Sequence, residues 1–231
     1  MKKFGVAASL FTAVSLYAAL ALASSGAAGI TADEALAKLL DGNKRYVESK
    51  MNSCGETTAS AREKLAKSQK PYAIILSCSD SRVPPEIIFD KSLGEIFVVR
   101  VAGNVPDPIV IGSVEYAAEH LGSPLVMVLG HERCGAVTAT VDANGKGEGN
   151  IGAIVKGIAP ALKKVKKDKN CDLKDKGKLV ECVVDANAKM VAQNLTKQSK
   201  IIKEMVHEGK LKIVAAKYDL DDGKVTVYNS K

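Results

Sequence analysis

The chain has 231 residues, 46% of them hydrophobic, enough to bury a sizeable core in one domain. Its net charge is +7, but aromatic residues make up only 4%, tryptophan is absent and no arginine cluster alternates with stacking side chains. A nucleic-acid partner is therefore not expected, and the lysine-rich run Lys163–Lys178 reads as a solvated loop.

The N-terminus begins with Met1-Lys2-Lys3, continues uncharged and largely apolar from Gly5 to Leu22, and offers Ala21-Leu22-Ala23 as a cleavage site. Residues 1–23 read as a signal peptide, 24–30 as a short extension and 31–231 as a single catalytic domain. The stretch between Lys3 and Asp33 is also long enough for an uncleaved anchor helix. Its richness in Ala, Ser and Gly favours cleavage, which removes Lys2 and Lys3 and takes the net charge from +7 to +5. Export to a bacterial periplasm, without stable membrane association, is the expectation.

Thr31-Ala-Asp-Glu34 has capping-box spacing and opens a helix to about Ser49; residues 51–59 read as loop. Ser60-Ala-Arg-Glu63 repeats the spacing and predicts a short helix to Ser68. A first strand covers Tyr72–Leu76, Pro84-Pro85 leads a short helix to Phe89, and a second strand covers Ile96–Val101. Pro108–His120 reads as a helix stopped by Gly122, Leu125–Leu129 as a third strand, and Cys134–Val141 as a further helix. After the Gly-rich loop 142–150 come a helix at Ile151–Lys164 and one long helix from Lys178 to about Glu208, stopped by Gly209. Leu211–Tyr218 and Val225–Tyr228 form a closing hairpin through Asp221-Asp222-Gly223. This alternation predicts an α/β fold: four parallel strands plus an antiparallel C-terminal edge strand, flanked by helices.

Two clusters carry the chemistry, Cys78-Ser-Asp-Ser-Arg82 and His131-Glu-Arg-Cys134-Gly135, each directly after an apolar strand. Ligands gather beyond the carboxyl ends of such strands. If the strands are neighbours, their ends lie roughly 5 Å apart. Cys78, His131 and Cys134 then form a two-thiolate, one-imidazole zinc set with one open position, which permits catalysis. In an extended segment Cys78, Asp80 and Arg82 point the same way, so Arg82 can pair with Asp80 and fix its carboxylate. Asp80 could then accept a hydrogen bond from a zinc-bound water, or bind the metal itself. A cysteine nucleophile served by His131 would leave Cys78, Asp80 and Arg82 without a role. Of the other cysteines, Cys171 and Cys182 either form a disulfide or Cys182 fills the core, and the fate of Cys54 is open.

Together with Val99-Arg-Val-Ala-Gly-Asn104, Gly112-Ser-Val-Glu-Tyr-Ala-Ala118 and Tyr218-Asp-Leu-Asp-Asp-Gly-Lys-Val225, these clusters resemble the β-class carbonic anhydrases from about Thr31 onwards. The resemblance implies reversible hydration of CO2 to bicarbonate by zinc-bound hydroxide, one Zn2+ per subunit, and a homodimer or higher even oligomer. It makes Cys78, His131 and Cys134 the zinc ligands and Asp80 with Arg82 the catalytic dyad. Gln69 would reach substrate across a dimer interface, Phe97, Ala102 and Tyr116 would line the CO2 pocket, and Gly135 would supply backbone beside the metal. Lacking tryptophan, the chain is more similar to the plant-type subclass than to the one closed by bicarbonate at a second site. Asp80 binding zinc at low pH would remove the open position. Related enzymes hydrolyse carbonyl sulfide or carbon disulfide with the same metal set, and a zinc-binding protein without turnover is the non-enzymatic alternative.

Overall fold

The computed structural model describes residues 29–52 and 58–228. The proposed signal peptide, most of the 24–30 extension and Cys54 lie outside the described residues. Five strands form one sheet: β1 (Ala73–Ser77), β2 (Ile96–Arg100), β3 (Leu125–His131), β4 (Lys212–Tyr218) and β5 (Val225–Val227). Their order is β2-β1-β3-β4-β5. The first four run parallel and β5 pairs antiparallel with β4, as the alternation of elements predicts.

Both faces of the sheet are covered, so β1 and β3 are buried along their whole length and read as continuous apolar runs. Alternate residues serve opposite faces. Ile75, Met127 and Leu129 pack with Leu39 of α1 (Ala32–Val47) and with Ile88 of α3 (Pro85–Ile88). Ile74, Leu76, Val126 and Val128 pack with Val110 and Val114 of α4 (Pro108–Glu115) and with Ala188, Val191 and Leu195 of α7 (Lys176–Gln198). A third cluster, beyond the strand ends, joins Cys78 and Cys134 to α5 (Gly135–Asp142), α6 (Gly149–Val165) and α7.

The capping box at Thr31 forms as read: Thr31 Oγ1 accepts from the Glu34 N–H at 3.2 Å, and Glu34 Oε2 accepts from the Thr31 N–H at 2.6 Å. The second predicted box does not. α2 (Ala59–Leu65) is capped by Thr58, whose hydroxyl accepts from the Ala61 N–H at 3.2 Å, so Ser60 lies inside the helix. The predicted helix 108–120 continues from α4 into a wider π-helical turn at Tyr116–His120. The Lys163–Lys178 run is not one loop: it spans the last turn of α6, an exposed connection and the first turn of α7. Cys171 in that connection is disulfide-bonded to Cys182 of α7.

The expected single helix from Lys178 to Glu208 is two. Ser199 is extended (φ −126°, ψ 122°) and separates α7 from α8 (Lys200–His207). Its hydroxyl accepts from the Ile202 N–H at 3.0 Å and also donates to Glu115. The apolar spacing hides this break, because Leu195 and Ile202 stay fully buried on either side of it. Ser199→Ala is expected to cost about 0.5–2 kcal/mol, the usual range for a lost N-cap, read as a lowered urea midpoint.

Candidate active site

β1 and β3 are neighbours in register, Leu76 beside Val128 and Ser77 beside Leu129, so both deliver their next residues to one edge of the sheet. Cys78 follows β1 directly. His131 is the last residue of β3, paired with Tyr218, so the strand runs two residues past the Leu129 end that the sequence predicts. Cys134 stands at the N-cap of α5 but makes no capping bond, which leaves its sulfur free to face the other two.

The ligand atoms of Cys78, His131 and Cys134 lie within 4.8 Å of one another, and all three residues are buried. Bonds of about 2.0–2.3 Å to a central ion would bridge that span after small inward shifts. His131 Nδ1 contacts the Glu132 carbonyl at 2.8 Å, which fixes the ring, while Nε2 is buried without a hydrogen-bond partner. An orphaned imidazole nitrogen beside two thiols is what a metal-binding histidine leaves when its other nitrogen is held by a carbonyl. The sulfurs fit as well. Cys78 is drawn well below the ordinary thiol range by hydrogen bonding from Cys134 against the cost of burial, with help from the Gly103 and Asp80 N–H groups. Cys134 is pushed up by the same pairing, by burial and by the charge on Cys78. A divalent cation would relieve both, since it stabilises two thiolates at once.

Asp80 and Arg82 meet as predicted, although through a turn rather than an extended strand. The Arg82 N–H bonds Asp80 Oδ1 at 3.0 Å; Nε reaches Oδ1 at 2.9 Å and a terminal nitrogen reaches Oδ2 at 2.8 Å. This fork holds the Asp80 carboxyl far below the usual carboxylate range despite partial burial. Its Oδ2 lies 3.8 Å from His131 Nε2, at the edge of the ligand set.

The expected pocket residues are partly gathered. Phe97 is half-buried on β2, and its ring centroid lies 6.3 Å from that of Tyr116, which is itself half-exposed. Ala102 precedes Gly103, whose N–H reaches the Cys78 sulfur at 3.3 Å, and Gly135 is exposed immediately after Cys134. Gln69 is exposed before β1, at the end of that strand opposite Cys78.

A family model for carbonic anhydrase matches residues 73–225. The chain belongs to the carbonic anhydrase family. It is 38% identical to carbonic anhydrase 2 of Mycobacterium tuberculosis over 194 residues, covering 82% of this chain and 89% of that protein. The β-carbonic anhydrase CafA of Aspergillus fumigatus superposes with a TM-score of 0.68 at 25% identity, covering 85% of this chain and 90% of that one. The Coccomyxa β-carbonic anhydrase in complex with acetazolamide gives 0.67 at 25% identity, over 83% and 85% of the two chains. Fold and relatives together place this family member in the β class.

Sequence reasoning missed the residues that support this carbonic anhydrase site from behind. Arg100, at the end of β2, donates to the Cys78 carbonyl at 3.0 Å and the Asp80 carbonyl at 2.6 Å, bracing the first cluster. Asn187 of α7 is buried and donates to the Gly103 carbonyl at 3.0 Å, which holds the residue whose own N–H faces the Cys78 sulfur. Gly103 itself has φ +70°, and a Cβ there would lie 2.7 Å from Ile158 Cδ1 and 3.1 Å from Ala136 Cβ. Gly103→Ala is expected to destabilise the fold by about 1–3 kcal/mol, measured by urea unfolding, because it combines left-handed strain with a clash in a buried cluster.

Proposed function

We propose that this chain hydrates CO2 reversibly to bicarbonate and a proton, with zinc held by Cys78, His131 and Cys134. The observation that carries the reading is the convergence of these three buried donors within 4.8 Å, beside the Asp80–Arg82 fork. Zinc at such a set supplies a Lewis acid and, from water, a hydroxide nucleophile near neutral pH.

The chain's own residues do the rest. Asp80 Oδ2 is placed to accept a hydrogen bond from the attacking oxygen and so aim its lone pair. A carboxylate held this far below neutrality is a poor proton carrier, since an efficient base titrates near the working pH. Asp80 is therefore an orienting acceptor, and the proton leaves to solvent buffer. Arg82 keeps the carboxylate charged and fixed in direction. Phe97, Ala102 and Tyr116 offer an apolar wall for CO2, and the Gly135 N–H a polar contact for the product.

A homodimer or higher even oligomer completes the reading. Gln69 stands at the end of β1 opposite the ligands in its own chain, where it suits a partner's site. Ile109 is 80% exposed on α4, close in sequence to Tyr116, and would be covered by a second copy. Export to the periplasm is consistent with the Cys171–Cys182 disulfide. Among the described residues, no helix is long and apolar enough to cross a membrane.

Stopped-flow CO2 hydration on metal-quantified protein, with carbonyl sulfide as comparison substrate, tests the proposal. The rate is expected to rise in proportion to zinc content and to exceed carbonyl sulfide turnover. Hydration indifferent to zinc removal, or a preference for carbonyl sulfide, would reject it.

A further inference from the structure

We propose that Glu181 is a positioning residue for the metal centre, acting on the turn between His131 and Cys134, and that the Cys171–Cys182 disulfide holds it there. The inference rests on the zinc reading above.

Only Glu132 and Arg133 separate the two ligands, and Arg133 has φ +49°. A bulky residue stays in the left-handed region only where its surroundings impose it. The guanidinium of Arg133 is forked onto Asp221 at 2.8 and 2.9 Å, which anchors the side chain to the β4–β5 connection. The backbone is held separately: the Arg133 N–H donates to Glu181 Oε1 at 2.8 Å. Glu181 belongs to α7, which supplies no metal ligand. Its second oxygen lies 3.5 Å from Lys217 Nζ on β4, so the carboxylate bridges the ligand turn and the sheet.

The residue after Glu181 is Cys182, bonded to Cys171 in the connection from α6. Both cysteines pack against the cluster that contains Cys78, Cys134 and Val137. The bridge thus ties the early turns of α7 to the connection from α6, one residue away from Glu181. Hydrogen bonds to a ligand-bearing segment orient the ligands, and losing such outer contacts lowers metal affinity.

The test measures zinc affinity of the full-length protein by chelator competition, with cobalt(II) absorption as a reading of ligand geometry. Glu181→Ala is expected to weaken zinc binding by about 10–100-fold and to alter the cobalt bands. Glu181→Gln keeps an acceptor for the Arg133 N–H while losing the charge facing Lys217, and is expected to stay near wild type. The double variant C171S/C182S is expected to weaken zinc binding in the same direction, to add nothing further on E181A, and to lower hydrogen-exchange protection at the Arg133 amide. Wild-type affinity in E181A, or equal losses in E181A and E181Q, would overturn the positioning role. Additive losses, or unchanged Arg133 protection in C171S/C182S, would overturn the disulfide's part. A wild-type protein that binds no zinc would overturn the metal reading itself, and is distinguished by failing before any variant is compared.

Discussion

Replacing Cys134 with serine is expected to remove zinc retention and to take CO2 hydration to background, a larger loss than the roughly 10–100-fold that outer contacts cost. A serine hydroxyl stays protonated at neutral pH and offers a neutral oxygen in place of a thiolate. The two remaining donors, Cys78 and His131, cannot make up the three-ligand set that leaves one position for catalysis. The same change should leave the fold intact. Cys134 sits at the N-cap of α5 with no capping bond, and serine is among the residues that best fill that position. The metal-free variant should therefore melt at or above the temperature of metal-free wild type, which separates loss of metal from loss of structure. Metal analysis, stopped-flow rates and calorimetry on one preparation decide the matter; full zinc occupancy with full activity would remove Cys134 from the ligand set.

The contrast between what the sequence displayed and what it concealed follows sequence distance. Cys78, His131 and Cys134 were legible because each sits just after an apolar strand, and neighbouring parallel strands bring their ends together. The Asp80–Arg82 pair was legible as a partnership, but its backbone was not: the residues were read as alternating along an extended segment, whereas the Arg82 N–H folds back onto Asp80 Oδ1. Arg100 falls in the Val99–Asn104 motif but its bracing role does not show there, and Asn187 and Glu181 give no local signal. The latter two meet their targets across 84 and 48 residues, through helix packing that no short window reveals. The break at Ser199 was hidden because a seven-residue apolar spacing fits one helix or two. Cysteine spacing alone does not separate a bridge from a buried thiol, so the Cys171–Cys182 pairing shows only in the structure.

Asp80→Asn is expected to lower kcat/KM for CO2 hydration by about 10²-fold, the scale on which misplacement of a reacting group costs rate. Asparagine keeps the size of the side chain but cannot receive the Arg82 fork on two charged oxygens, so the acceptor beside His131 loses both direction and charge. The pH profile tells how Asp80 works. Because Arg82 holds its carboxyl below the usual carboxylate range, Asp80 is ionised between about pH 8 and 6.5, and its own protonation does not produce a limb there. If its role is orientation, Asp80→Asn lowers the whole curve and leaves the limb between about pH 8 and 6.5 where it is in wild type. The rival account has the carboxylate leave Arg82 and take the metal's open position in acid. That motion would break both fork bonds and the Arg82 N–H contact, at 2.8–3.0 Å, for a single new one. Under that account the variant could not close, and its acid limb would vanish. A limb that persists supports the fork as the working arrangement, whereas one that disappears shows that Asp80 is a gate.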